Sequence, residues 1–325
     1  MLSRFQFPSQ LAASLPFVPH LDKALAPLGS SVKTYAAAIG AVYVAVKTTQ
    51  AVACLGRGLV SYVLANPLHL AGDLRKVGDW AVVTGASDGI GKEYAHQLAA
   101  KGLNVVLFGR NQEKTEQVAQ EIRSVYKVLA KVIILDLARI TADDVKVIQE
   151  QLLSLKIALL INNAGIICDT ERFLAAPVTD EKAVDMVNVN ITAVVLVTRA
   201  VLPIMLAQGK GYIMNMSSGL GEKPVIGMAL YAASKTFIDY FSQALDYEYK
   251  CKGVRVQSVI CGMVATNMLP VKQRSSCFTA DPRAFVSSAL GLVGVRQRHH
   301  GHWKAALMSL LGRPMPAYCL LPCNK

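Results

Sequence analysis

Residues 80–91 read Trp80-Ala81-Val82-Val83-Thr84-Gly85-Ala86-Ser87-Asp88-Gly89-Ile90-Gly91. A short apolar run leads into glycines at 85, 89 and 91, and a helical pattern runs from Ile90 to Ala100. The order is strand, tight turn, helix. Glycine serves such a turn because it bends the backbone tightly and lets another group come close to the main chain. The free N–H groups at the start of the helix then attract an anion. This order predicts that Gly85, Ser87, Gly89, Ile90 and Gly91 cradle the pyrophosphate of a dinucleotide.

Working outward, the same texture repeats. Asn104–Phe108, Lys131–Leu135, Ile157–Ile161, Tyr212–Met216 and Val254–Ile260 are further apolar runs. Helical stretches lie at Asn111–Tyr126, about 180–208 and about 231–251. Strands that alternate with helices and are apolar on both faces predict an α/β fold, a doubly wound parallel sheet covered on both sides. Its ligand belongs at the carboxyl ends of the strands. The second strand ends in Phe108-Gly109-Arg110-Asn111, with no acidic residue to bind the ribose 2′-hydroxyl of NAD. Arg110 can pair with a 2′-phosphate instead, which predicts NADP(H). A solvated arginine opening the next helix is the plainer alternative.

Tyr231-Ala232-Ala233-Ser234-Lys235 sets a phenol and an ammonium group four residues apart, on one face of a helix. A phenol of pKa near 10 is a poor acid–base group at neutral pH unless its anion is stabilised. A cation one turn away supplies that stabilisation. Ser217-Ser218 follow the run Ile213-Met214-Asn215-Met216 and put a hydroxyl at a strand end, where it can face the phenol.

Together these motifs resemble the short-chain dehydrogenase/reductase superfamily. They are Thr84-Gly85…Gly89-Ile90-Gly91, Asn162-Asn163-Ala164-Gly165, the paired serines, and Tyr231 with Lys235, in order over about 80–270. The resemblance implies a Rossmann-type sheet and a role for each matched residue. Tyr231 is the general acid for carbonyl reduction and also belongs to the cofactor-binding set. Lys235 lowers the tyrosine pKa and holds the nicotinamide ribose. Ser218 binds the substrate oxygen. Asn190, in Val187-Asn188-Val189-Asn190-Ile191, supports a proton-relay water. Asp136 lies near the adenine with Asn163 beside it, and Thr266 joins the cofactor-binding set. Ser87-Asp88-Gly89-Ile90-Gly91-Lys92-Glu93-Tyr94 and Lys235-Thr236-Phe237-Ile238-Asp239-Tyr240-Phe241-Ser242 resemble, more narrowly, the membrane-bound 17β-hydroxysteroid dehydrogenases of types 3 and 12. That group implies a lipid ketone as substrate, either a long-chain 3-oxoacyl-CoA of fatty-acid elongation or a 17-keto-steroid. It also implies the endoplasmic reticulum membrane as location. A homodimer and a fatty-acid elongation complex are the candidate assemblies. Two departures stand out: Ala164, where the narrower group often has valine, and Cys261-Gly262, where most short-chain enzymes have Pro-Gly.

The flanks differ from this middle. Residues 1–79 carry seven Lys/Arg against three Asp/Glu, residues 80–270 nineteen against eighteen, and residues 271–325 eight against one. The excess of positive charge sits beside apolar stretches, which fits an anionic membrane surface better than nucleic acid. No nucleic-acid or metal site is expected, and seven scattered cysteines without C-x-x-C make neither a disulfide framework nor a zinc ribbon. Residues 1–70 read as an irregular start followed by a membrane-associated helical segment at 34–65, crossed by Lys47 and Arg57. Residues 75–300 read as the catalytic domain, and 301–325 as a tail that either contacts the membrane or covers the domain. The terminal Cys323-Asn324-Lys325 lacks a dilysine retrieval signal, so retention would rest on the N-terminal segment. Two other readings compete with a membrane-bound reductase. One is a catalytically silent membrane scaffold that kept the fold, and the other is a soluble reductase of small carbonyls.

Overall fold

The computed structural model describes residues 30–64, 71–167, 173–174, 179–269 and 277–312. The chain divides into two compact units, Met1–Arg57 and Gly58–Lys325. In the second, the strands are β1 Trp80–Thr84, β2 Asn104–Gly109, β3 Ala130–Ile134, β4 Ile157–Asn162, β5 Gly211–Ser218, β6 Val254–Cys261 and β7 Arg298–His299. They form one seven-stranded sheet in the order β3-β2-β1-β4-β5-β6-β7, and every pairing is parallel. The helices, numbered along the whole chain, are α1 Ser30–Leu59, α2 Gly89–Ala100, α3 Gln112–Tyr126, α4 Ala142–Leu152, α5 Asp180–Val187, α6 Ala193–Gln208, α7 Ala229–Tyr249, α8 Pro282–Leu290 and α9 Trp303–Gly312.

The sheet is buried on both faces because β1 to β6 each feed two cores. In β1, Ala81 and Val83 join the core that holds Tyr94 and Leu98 of α2, Ile122 of α3 and Phe285 of α8. Val82 between them joins the opposite core, with Ile148 of α4 and Val197 and Val201 of α6. This alternation is the period of a strand read on a two-sided sheet. The doubly wound parallel sheet is thus the observed fold. The order reverses between β1 and β4, so the connections leaving these two paired strands turn to opposite sides of the sheet and leave a crevice above their carboxyl ends.

Four elements were not read from the sequence: α4, α8, β7 and α9, which forms within the stretch read only as a tail. The third strand also starts one residue earlier than the run Lys131–Leu135 suggested. The helical stretch at about 180–208 is interrupted by a π-helical turn at Asn188–Thr192. It is apolar enough to cross a membrane, yet it is largely buried and serves the core.

The first unit holds most of α1. Among the described residues, Thr34–Ala53 is the other stretch long and apolar enough to cross a membrane, with a mean hydropathy of 1.3 and none of it buried. Lys47 lies inside it, 5.5 Å from the centre of the Tyr43 ring. The side chain of Arg57, the irregular start and the tail after 312 lie outside the described residues.

Candidate active site

The glycine turn takes the shape its composition implies. Gly85 and Gly89 have φ of +65° and +56°, which residues with a Cβ rarely adopt. A Cβ on Gly91 would collide with the carbonyl oxygen of Gly85 and the side-chain amide of Asn163. Asp88 caps α2, accepting from the Gly89 amide at 2.7 Å. Its second oxygen accepts from Asn267 at 2.8 Å, which brings the segment after β6 over the turn. A Cβ on Gly89 would lie 3.2 Å from the Thr266 methyl. Ser87 and Ile90 border the turn, both half-buried.

The ends of β1 and β4 are latched together. Asn163 donates its side-chain amide to the carbonyls of Thr84 (3.1 Å) and Gly85 (3.3 Å). The Thr84 hydroxyl accepts from the amides of Asn163 (3.0 Å) and Ala164 (3.1 Å). Sequence reading passed over Thr84, although a hydroxyl that ends an apolar strand was a usable signal. Asn111 is spent on capping α3, where it accepts from the Lys114 amide at 2.9 Å. Arg110 before it is exposed at the end of β2. Asp136 follows β3, also exposed, and accepts from the Ala138 amide at 3.0 Å. A dinucleotide fits this edge. The left-handed glycines give close access to the backbone, the helix start offers N–H groups, and an exposed cation stands at the end of β2.

The second half of the site lies along β5 and α7. Ser218 ends β5, and Tyr231 and Lys235 lie in the first two turns of α7. The Lys235 ammonium sits 5.7 Å from the centre of the Tyr231 ring and donates to the Met216 carbonyl at 3.0 Å. Burial pushes its pKa down to about 8, while the Cys261 thiol pulls the other way. Tyr231 departs from expectation. Burial, the largest influence, pushes its pKa up to about 12; a hydrogen bond with Ser218 lowers it and the Cys261 thiol raises it. The depression expected from Lys235 is not among these influences, and burial decides the direction because it removes the phenol from water. Cys261 is paired with Ser218 across the sheet, and burial pushes its thiol up to about 12, with Lys235 opposing.

Asn190 is fully buried in the π-helical turn. Such turns frequently mark functional positions in helices. Its side chain accepts from the Ile166 amide at 2.8 Å and donates to the Ile166 carbonyl at 3.0 Å and to Ser234 at 3.1 Å. A Cβ on Gly165 would lie 3.3 Å from the Lys235 ammonium and 3.4 Å from the Asn190 amide oxygen. Gly165, also missed from sequence, therefore keeps the space in front of both open. The neighbouring Asn162, Asn188 and Ser217 bond elsewhere in the framework: to Thr198 and Asn215, to the Ala138 carbonyl, and to the Lys235 carbonyl.

The chain is similar in sequence and fold to known proteins of one family. Residues 79–276 match the sequence model of the short chain dehydrogenase family. The chain is 41% identical over 269 residues to a human very-long-chain 3-oxoacyl-CoA reductase, covering 81% of this chain and 85% of that protein. It is also 36% identical over 287 residues to the human inactive hydroxysteroid dehydrogenase-like protein 1, covering 87% of this chain and 86% of that one. Among solved structures, a short-chain dehydrogenase from Sphingobium yanoikuyae in complex with NADPH superposes with a TM-score of 0.62 at 27% identity, covering 76% of this chain and 97% of that one.

Proposed function

Since the chain belongs to the short-chain dehydrogenase family, we propose that it is an NADPH-dependent carbonyl reductase whose substrate is a long-chain 3-oxoacyl-CoA. The observation that carries this reading is the convergence of Ser218, Tyr231, Lys235 and Asn190 beside a glycine turn. The substrate class is taken from the human very-long-chain 3-oxoacyl-CoA reductase, which is 41% identical to this chain.

NADPH, when bound, supplies the hydride. Gly85, Ser87, Gly89, Ile90 and Gly91 would hold its pyrophosphate and Arg110 its 2′-phosphate. Asp136 and Asn163 would border the adenine, Lys235 would hold the nicotinamide ribose, and Thr266 would close over the turn. Tyr231 keeps its proton at neutral pH, because its pKa is pushed up to about 12. That suits a group that gives a proton to the substrate oxygen as negative charge develops there. Ser218 donates a second hydrogen bond to the same oxygen, strongest when the charge is greatest. Lys235, at about 8, still carries its charge near pH 7 and stabilises the phenolate left behind. Asn190 fixes the Ile166 backbone and Ser234 on either side of this centre. The enzyme works at the endoplasmic reticulum membrane, with α1 as its anchor.

A second reading, a catalytically silent scaffold, is favoured by the 36% identity to an inactive human protein. The two readings part in one assay. A membrane fraction holding the full chain is given NADPH with a long-chain 3-oxoacyl-CoA or a 17-keto-steroid. Oxidation of NADPH by the acyl-CoA alone supports the proposed substrate, and turnover of the steroid alone replaces it. No turnover of either favours the scaffold.

A further inference from the structure

One charged cluster lies outside the site described and is not used by its chemistry. Arg298, on the edge strand β7, is half-buried. Its Nε donates to both carboxylate oxygens of Asp239, at 3.1 and 2.9 Å, and its Nη2 donates to Glu222 at 2.9 Å. Glu222 comes four residues after Ser218, and its amide closes the intervening turn on the Gly219 carbonyl at 3.2 Å. Asp239 follows Tyr231 and Lys235 at the same four-residue interval on α7, so the three share one face. One guanidinium thus grips the turn behind the serine and the helix that carries the tyrosine. Fixed fork geometry makes arginine suited to two carboxylates at once.

The turn is pressed onto α7 by other contacts as well. The Thr236 hydroxyl donates to the Gly221 carbonyl at 2.7 Å. A Cβ on Gly221 would lie 2.9 Å from the Lys235 carbonyl carbon and the Thr236 nitrogen. These contacts set a close approach, and the charged bridge locks it from outside. Glu222 is held ionised although burial opposes it: the polar groups of His300, Ser309 and Arg298 beside it bring its pKa down to about 2. The His300 ring nitrogen approaches it at 3.4 Å.

We propose that Arg298 is a positioning residue for the reduction: by gripping Glu222 and Asp239 together it holds Ser218 at the reach of Tyr231. The proposal rests on the roles given to Ser218 and Tyr231 above. The full chain in its membrane fraction, or in detergent, is compared with Arg298→Lys, Glu222→Gln and Asp239→Asn. Lysine keeps the charge but lacks the rigid planar fork that meets both carboxylates in one geometry, and the two amides keep shape without charge. Each variant should lower kcat at least tenfold, since misplacement by about 1 Å costs about 10²-fold. The NADPH Kd should stay within about twofold, because the glycine turn and Arg110 are untouched. Deuterium uptake at 218–222 should quicken while uptake in β1 to β3 stays as in the parent. A fall in melting temperature with kcat unchanged, or faster uptake spread evenly over the sheet, overturns the proposal in favour of plain structural support. Should the parent reduce neither test ketone, the functional reading fails, yet the uptake measurement still decides for or against the grip.

Discussion

At the scale of single residues, the phenol of Tyr231 carries the sharpest expectation. Tyr231→Phe removes the proposed proton donor and leaves the glycine turn, Arg110 and Lys235 in place. Turnover should fall about 10²–10⁴-fold, the usual contribution of general acid–base catalysis, with NADPH affinity within a few-fold of the parent. Stopped-flow reduction and fluorescence titration measure the two separately; a loss below tenfold removes Tyr231 from the role. Arg110 stands exposed at the end of β2 with no acidic neighbour in Phe108-Gly109-Arg110-Asn111. Arg110→Asp should therefore reverse the preference from NADPH to NADH. A hydrogen bond to a charged group is worth roughly 1.5–3 kcal/mol, so the NADPH Kd should rise about ten- to a hundredfold. Equal affinity of the parent for both cofactors would remove the arginine from the argument. Residue identity and spacing made these positions legible, but not their electrostatics. The spacing of Tyr231 and Lys235 suggested a depressed phenol pKa, whereas burial, which no spacing reveals, pushes it up to about 12.

At the scale of elements, the glycine turn makes the next test. Gly91 lies on α2 where that helix crosses the Gly85 carbonyl and the Asn163 amide, leaving no room for a methyl group. Gly91→Ala should push α2 away from β1, at a cost of about 1–3 kcal/mol as overpacking. The NADPH Kd should rise with the fall in melting temperature, because one displacement does both. A variant that keeps its Kd while losing stability would separate the turn from the cofactor. The elements that packed into both cores were visible in advance, since runs such as Trp80–Thr84 and Asn104–Gly109 are apolar on successive residues. Those on the rim were not. α4 buries Ile148 and Leu152 alone, too few for a period, and its capping box at Thr141 and Asp144 was the stronger sign. β7 has two residues, Arg298 and His299, and no pattern at all. Its partners Asp239 and Glu222 stand 59 and 76 residues away in sequence, so only the folded sheet brings them together.

At the scale of the whole molecule, the question is what α1 does. Thr34–Ala53 counts 20 residues, which at 1.5 Å each gives about 30 Å, the thickness of a bilayer's hydrocarbon core. Lys47 stands six residues before Ala53, so about 9 Å inside that end. A cation at the centre of a bilayer costs about 2.5–3.5 kcal/mol on insertion scales, and less when its stem can reach a headgroup layer. A membrane hold through α1 would therefore be apolar, so the full chain should pellet with membranes and resist a high-salt wash. Carbonate extraction should leave it in the pellet. Where the chain is cut matters for a second reason. Tyr62, just past α1, accepts a hydrogen bond from the His300 amide at 3.1 Å, next to Arg298 on β7. A chain beginning at Gly58 loses the anchor and keeps that contact, whereas one beginning at Asp73 loses both. Both should leave the membrane and bind NADPH, but the shorter should have the lower kcat, because β7 loses a tether beside the Arg298 bridge. Release of the full chain by salt alone would refute the anchor and favour a soluble reductase. Equal kcat in the two shortened chains would show that Tyr62 has no part in holding β7.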